Sequence, residues 1–128
     1  MITPQQIART SEDSHCIALM QQCALHLREY PQLRWLTHIP NGGARDLREG
    51  AKFKAMGTKR GVLDYFLFYP RWDKMYCGLA IEMKVGKNVA SPEQLDWLAY
   101  LNETGYKAQV CYGWQEAWDC ILKYLGEE

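Results

Sequence analysis

An acid and a base stand two positions apart in an otherwise apolar stretch, residues 79–85, which reads LAIEMKV. Successive side chains of a strand point to opposite faces, so in a strand Glu82 and Lys84 share one face with Ala80. Buried strands rarely carry charges unless the charges are paired or bind something. The spacing by itself fits a buried ion pair, or a strand end that reaches solvent, as well as it fits a functional site.

Asp64 is the only charged residue in a second apolar stretch, residues 62–69, which reads VLDYFLFY. Strands are depleted in aspartate, and a buried carboxylate needs a partner. If the two stretches are neighbouring strands, Asp64 and Glu82 would repel each other unless a cation lay between them. The three residues Asp64, Glu82 and Lys84 would then suit Mg²⁺-dependent phosphodiester hydrolysis, which needs oxygen ligands and a positive charge beside the phosphate. A lone aspartate on an edge strand is the simpler alternative.

Two further polar residues are ambiguous. Glu12 lies in the first turn of a predicted helix, where most acids only interact favourably with the helix dipole. Gln94 follows Ser91 by three residues, and a capping box explains that spacing without any role in a site. The residues alone leave both functions open.

A basic segment leads into the stretch that carries Asp64. Residues 51–61 contain four cations and no acid, and Lys87 lies just beyond Lys84. Such runs are usually solvated loops, but here the segment would lie beside the site and could hold DNA phosphates. The predicted DNA-binding residues are Asn41, Arg45, Lys52, Lys54, Lys59, Arg60 and Lys87.

Composition limits the class of protein. The chain has 128 residues, 48% apolar and 23% charged, which predicts one globular domain over residues 1–128. Basic and acidic residues balance at 15 each, so any nucleic-acid binding must depend on a local patch. Five dispersed cysteines without a C-x-x-C pair favour reduced thiols in a cytoplasmic protein. With neither a signal-like segment nor a long apolar run, we expect no secretion and no membrane insertion.

The pattern of the chain predicts an α/β protein with a mixed β-sheet flanked by helices. The expected order is α-β-β-β-α-β-α, with helices at residues 11–30, from Ser91 to about Gly105, and at 114–125. Strands are expected at residues 33–39, 62–69, 76–85 and 106–112, the second and third of them forming an antiparallel hairpin. Residues 44–61 show no clear period and are expected to be irregular.

The motifs resemble those of the VRR-NUC (virus-type replication-repair nuclease) family, in its stand-alone bacterial and phage form. The resemblance covers nearly the whole chain. The matching segments are residues 39–43 (IPNGG), 54–57 (KAMG), 61–64 (GVLD), 81–84 (IEMK) and 91–94 (SPEQ), with further matches near residues 97–106, 113–117 and 124–125.

The resemblance implies a restriction-endonuclease-like PD-(D/E)xK core, in agreement with the predicted order of elements. It implies that Asp64, Glu82 and the Met83 carbonyl hold a metal, that Lys84 is the motif lysine, and that Glu12 and Gln94 support the site. Asp64, Glu82, Lys84, Glu12 and Gln94 are therefore the predicted catalytic residues, and Asp64, Glu82, Met83 and Glu12 the predicted metal ligands. The chain departs from the family at Leu63, where a proline is usual.

The function implied is that of a Mg²⁺- or Mn²⁺-dependent endonuclease that cuts branched DNA, in a bacterial or phage-infected cell. Four-way (Holliday) junctions are the expected substrate and a homodimer the expected assembly, in a pathway of recombination or repair. A flap-specific nuclease and a non-catalytic module that binds branched DNA are the alternatives. A Schiff-base role for Lys84 is disfavoured, since neighbouring carboxylates oppose the neutral amine that such chemistry needs.

Overall fold

We describe residues 11–40 and 47–126 of the chain in a computed structural model. The helices within these ranges are α1 (Glu12–Leu25), α2 (Leu47–Ala55), α3 (Pro92–Glu103) and α4 (Trp114–Tyr124), with a 3₁₀ helix at Pro31–Trp35. The strands are β1 (Leu36–His38), β2 (Tyr65–Leu67), β3 (Gly78–Lys84) and β4 (Tyr106–Tyr112). No helix within them is long and apolar enough to cross a membrane.

The strands form one mixed sheet in the order β1-β2-β3-β4. Strand β2 is antiparallel to both β1 and β3, so the predicted hairpin is confirmed. Strand β4 is parallel to β3, which requires the chain to cross from one end of the sheet to the other. Helix α3 makes that crossing, and the predicted fold class, a mixed sheet flanked by helices, is confirmed.

Strand β3 is buried along its whole length because helices cover both faces of the sheet. Leu79, Ile81 and Met83 pack into a core with residues of α1 and α4. Ala80 faces the opposite side, in a smaller core that includes Leu101 of α3. The predicted alternation is therefore confirmed, and it places Glu82 and Lys84 on the same face of the sheet as Ala80.

Several elements differ from the prediction. Residues 33–35, expected in the first strand, belong to the 3₁₀ helix, and β1 covers only Leu36–His38. Helix α1 ends at Leu25 and is followed by a turn, so it is shorter than the helix expected at residues 11–30. The expectation that residues 44–61 are irregular was wrong, because α2 lies within them. Its apolar content is low and it contains Gly50, a poor helix former, so composition and propensity favoured a loop.

A glycine ends α2 and reverses the chain. Gly57 has φ +102°, and the N–H groups of Gly57 and Thr58 donate to the carbonyls of Lys54 and Phe53 at 3.0 and 2.9 Å. This pair of bonds is the Schellman arrangement, which favours glycine at the left-handed position. The segment 58–63 is thereby directed toward β2 and the residue that precedes it, Asp64.

Candidate active site

Asp64 lies one residue before β2 rather than inside a strand of residues 62–69. The register pairs Tyr65 with Ile81, and one step further along the hairpin Asp64 reaches the level of Glu82. There the Asp64 carboxylate takes the place of a backbone acceptor, because its Oδ2 accepts the Met83 N–H at 2.7 Å. On the other side, the Ile39 N–H donates to the Asp64 carbonyl at 2.7 Å. Backbone contacts from both neighbouring strands thus fix this residue.

Gly61 allows the segment before Asp64 to approach α3. Its φ is +80°, and a Cβ added there would lie 2.5 Å from the Glu93 Cβ and 2.8 Å from the Glu93 carbonyl carbon. A larger residue would therefore push the chain away from the first turn of α3. That turn carries Gln94, so the close approach brings Asp64 and Gln94 into one site.

Glu82 is 2% exposed and its two carboxylate oxygens have different surroundings. Oε2 accepts a hydrogen bond from Gln94 Nε2 at 3.0 Å and forms an ion pair with Lys84 Nζ at 3.2 Å. Oε1 is also buried, yet within residues 11–40 and 47–126 no group donates to it. A buried acceptor without a donor is costly, so Oε1 is the oxygen that a cation would satisfy.

The two carboxyl groups influence each other strongly. Burial, and then the charge of Asp64, raise the pKa of Glu82 to about 7, although Lys84 opposes the shift. Burial also raises the pKa of Asp64, while the hydrogen bond from the Met83 N–H acts in the opposite direction. The metal-free pair therefore retains a proton close to neutral pH, as expected for two buried acids at close quarters.

Lys84 lies between two acids. Its Nζ is 3.2 Å from Glu82 Oε2 and 3.9 Å from Glu12 Oε2, and the residue is 8% exposed. The same oxygen of Glu12 accepts a hydrogen bond from Asn88 Nδ2 at 3.1 Å. Glu12 therefore contacts the lysine and Asn88. The sequence interpretation missed Asn88, for which the turn at residues 86–88, shortly after Lys84, was the available signal.

Gln94 has both of the roles that the sequence left open. Its Oε1 accepts the Ser91 N–H at 2.8 Å and its own N–H donates to the Ser91 hydroxyl at 3.2 Å, which completes the capping box of α3. Its Nε2 is left to donate to Glu82. The cap holds the amide in a fixed orientation and so positions the carboxylate that it contacts.

The donor set fits a hard divalent cation. Asp64 and Glu82 supply carboxylate oxygens, one of them buried and without a donor. No group of three acidic, histidine or cysteine side chains suited to a metal occurs in the described ranges. Mg²⁺ commonly binds proteins through one or two carboxylates and takes its other ligands from water and substrate phosphate. The pair meets that requirement without a third acid.

The basic residues lie outside this buried group. Lys52 and Lys54 are exposed on α2, Lys59 and Arg60 are exposed after it, and Lys87 is exposed beyond β3. The predicted contacts Asn41 and Arg45 lie outside the described residues. The structure thus brings Asp64, Glu82, Lys84, Glu12 and Gln94 together and places the described cations on the surface.

Comparison with known proteins gives two matches. Residues 5–115 match the sequence profile of the VRR-NUC domain. A solved structure described as a "VRR_NUC domain protein" is 30% identical in sequence, superposes with a TM-score of 0.73, and the match covers 92% of each chain. No curated protein matches the chain. Profile and structure agree on one family.

Proposed function

The chain belongs to the VRR-NUC domain family of nucleases, and on that premise we propose that it is a Mg²⁺- or Mn²⁺-dependent DNA endonuclease. The observation that carries the proposal is the environment of Glu82. One of its oxygens is held by Gln94 and Lys84, and the other is buried beside Asp64 with no donor among the described residues. A structural ion pair does not require such an unsatisfied acceptor, whereas a bound cation would satisfy it.

Asp64 and Glu82 would hold the cation, with the Met83 carbonyl as a further ligand. When bound, a divalent cation supplies Lewis-acid stabilisation of the phosphate and makes water more acidic. The chain itself contributes orientation. The Met83 N–H fixes the Asp64 carboxylate, and the Gln94 amide fixes that of Glu82.

Lys84 is the group that would face the reacting phosphate. Its ammonium is oriented by Glu82 and Glu12, and it offsets the negative charge that builds up as water attacks phosphorus in line with the leaving 3′ oxygen. The ammonium would also help to orient the attacking water through a hydrogen bond. Glu12 would support the site through Lys84. We also propose that Glu12 contacts the metal, directly or through water.

DNA would be held mainly through its backbone. The exposed cations Lys52, Lys54, Lys59, Arg60 and Lys87 are suited to phosphate contacts, which confer affinity that falls steeply with salt and little sequence preference. Asn41 and Arg45 belong to the same proposed set. Binding of this kind favours recognition of DNA shape over sequence.

We propose branched DNA, and four-way junctions in particular, as the substrate, and a homodimer as the active assembly. A two-fold dimer would present two sites to symmetry-related strands of a junction. A flap nuclease would need only one site. A module that only binds DNA is disfavoured, because buried carboxylates that face a polyanion weaken binding and are useful only when a cation joins them.

The test is cleavage of labelled four-way junction, flap and plain duplex in Mg²⁺, Mn²⁺ or EDTA. Asp64→Asn and Glu82→Gln preserve the size of the side chains, and Lys84→Ala removes the ammonium. Lys123→Ala, an exposed lysine of α4, is the matched control for lysine loss. We expect paired, metal-dependent nicks in the junction, lost in the three site variants and retained in the control.

Each part of the proposal can fail separately. Tight junction binding without cleavage in any metal would leave only the binding module. Preferential cleavage of flaps would replace the junction as substrate. A strict monomer in sedimentation at assay concentration would exclude the paired cut while the hydrolytic chemistry stood.

A further inference from the structure

A cavity lies on the α3 side of the sheet, and the proposed function uses only one residue of its lining, Lys59. Its volume is about 400 Å³, within the range of about 300–1,000 Å³ typical of small-molecule sites. Its walls include Ile39, Phe53, Val62 and Trp97, and Lys59 contributes a cation to the lining. The cavity is therefore mainly apolar and aromatic, with a positive charge.

The walls of this cavity are attached to residues of the site. The Ile39 N–H donates to the Asp64 carbonyl at 2.7 Å, and Val62 precedes Asp64 by two residues. Trp97 lies one helical turn after Gln94 on α3. The walls of the cavity and the residues of the site therefore belong to the same short stretches of backbone.

Three of the walls are backed by the core, which makes the cavity a preformed shape. Ile39, Val62 and Trp97 are partly buried and pack against the smaller core on the α3 side of the sheet. The Trp97 indole N–H also donates to the Arg60 carbonyl at 3.3 Å. Phe53 completes the lining from α2, so aromatic rings from two different helices line one cavity.

The chemistry of the lining selects a ligand with a flat apolar part joined to a negative group. The turn at Gly57 places Lys59 in the lining, and Arg60 follows it on the surface. A nucleobase on its phosphate backbone has both features, since every base has a face that can stack on an aromatic ring.

We propose that this cavity receives one unpaired nucleobase of the DNA substrate, next to the bond that is cut. The inference rests on the proposed function and narrows its substrate class. The preferred DNA would have an unstacked nucleotide at the cleavage point, as at a branch or a distorted step. Continuous duplex would be a poorer substrate. The base would stack on Phe53, and Lys59 would contact its phosphate.

The test is equilibrium binding in EDTA, which is independent of cleavage. The probes are two duplexes with a single unpaired position, which is 2-aminopurine in one and an abasic residue in the other. We expect the wild type to bind the base-containing probe about 5- to 150-fold more tightly, the range of one aromatic stacking contact. The fluorescence of 2-aminopurine should be quenched on binding.

The variants separate stacking from charge. Phe53→Ala should reduce the difference between the two probes and the quenching, whereas Phe53→Tyr keeps a ring and should preserve both. Lys59→Ala should weaken the binding of both probes equally. Phe68→Ala is the matched control, since Phe68 is an exposed phenylalanine after β2, outside this lining, and should behave as wild type.

Equal affinity of the wild type for both probes would overturn the inference, as would unchanged discrimination in Phe53→Ala. The same oligonucleotides, incubated separately with Mn²⁺, report cleavage. Cleavage without discrimination would refute the base pocket and leave the nuclease. Discrimination without cleavage of any substrate would support the pocket and refute the nuclease.

Discussion

The side chain of Gln94 joins a helix cap to a buried carboxylate. Its oxygen accepts the Ser91 N–H at 2.8 Å, and its nitrogen donates to Glu82 Oε2 at 3.0 Å. An amide is suited to this position because it carries an acceptor and a donor on one rigid plane. The start of α3 and the orientation of the site acid are thereby determined by one residue.

The two functions of Gln94 can be separated by a pair of substitutions. Ser91→Ala removes the N-cap hydroxyl and should lower the free energy of unfolding by about 0.5–2 kcal/mol, with Mn²⁺ affinity nearly unchanged. Gln94→Glu preserves an acceptor for the cap but places a carboxylate against Glu82, so its main effect should be on Mn²⁺ binding and cleavage. Calorimetric titration and thermal unfolding measure the two quantities. If both variants changed the same quantity, cap and site would not be separable as described.

Lys84→Met should have opposite effects on metal binding and on catalysis. Loss of the ammonium removes repulsion with a divalent cation, so Mn²⁺ should bind more tightly, by about tenfold or 1.4 kcal/mol. Cleavage should nevertheless be lost, because no charge then faces the phosphate. Isothermal titration and a cleavage assay on the same sample check both effects. Weaker Mn²⁺ binding in the variant would contradict the placement of Lys84 beside the metal ligands.

The same substitution should destabilise the metal-free protein. Removing one partner of a buried ion pair leaves Glu82 without its cation, at a cost of about 3 kcal/mol at pH 8. Lys123→Ala, on the exposed side of α4, should change stability little. Chemical denaturation in EDTA provides the comparison. Equal stability of wild type and Lys84→Met would show that the ion pair of Lys84 with Glu82 contributes nothing to the free energy of unfolding.

The strand that carries the site could be predicted because its alternation is simple. Residues 79–85 have one apolar face and one mixed face, and both faces are covered in the structure. The capping box at Ser91 likewise identified the start of α3. In each case the signal is local, since period and cap chemistry depend on residues a few positions apart.

Other features depended on contacts that sequence does not display. Helix α2 is short, mostly polar and contains Gly50, so its composition did not distinguish it from a loop. On α3, Leu95 is 55% exposed, whereas Trp97 packs inward and lines the cavity. The contact of Asn88 with Glu12 joins residues 76 positions apart. Such pairings are determined by the assembled sheet and helices.

Two glycines should respond differently to alanine substitution. Gly57 and Gly61 both have positive φ, but a Cβ at Gly57 meets no atom within 4 Å, whereas at Gly61 it meets the Glu93 Cβ at 2.5 Å. Gly57→Ala should cost about 1–2 kcal/mol from backbone strain alone. Gly61→Ala adds a clash, so it should cost more and also reduce Mn²⁺ affinity by displacing Asp64. Equal losses of stability, with metal binding unchanged in both, would disprove the close approach of this segment to α3.

Thiol reactivity should follow burial. Cys77 is exposed and should react first with a thiol reagent at pH 8, whereas Cys23 is buried and Cys16 is half-buried. Burial raises the pKa of both Cys16 and Cys23 to about 12, so they have little thiolate at that pH and should react slowly. Mass spectrometry after brief alkylation identifies the labelled site, and Cys77→Ser should abolish the fast phase. Rapid labelling of Cys23 in the native protein would contradict the packing of α1.

The proton shared near Glu82 predicts how the stability of the metal-free protein varies with pH. The pKa of Glu82 is about 7 in the folded state, against 4.5 for an unperturbed group. Between these values the folded protein holds a proton that the unfolded chain has released, so this stabilisation is complete below pH 4.5 and is lost as pH rises through 7. The loss is of order 3 kcal/mol, since one pKa unit corresponds to about 1.4 kcal/mol.

Glu82→Gln lacks this titration and retains an amide oxygen to accept from Gln94. In EDTA, the free energy of unfolding of the variant relative to wild type should therefore increase between pH 4.5 and pH 8, by up to the same order of magnitude. Glu103→Gln, at an exposed position of α3, is the control and should follow the wild-type profile. Denaturant titrations at closely spaced pH values measure the difference. Parallel profiles for wild type and Glu82→Gln would show that Glu82 is ionised throughout and that the two buried acids share no proton.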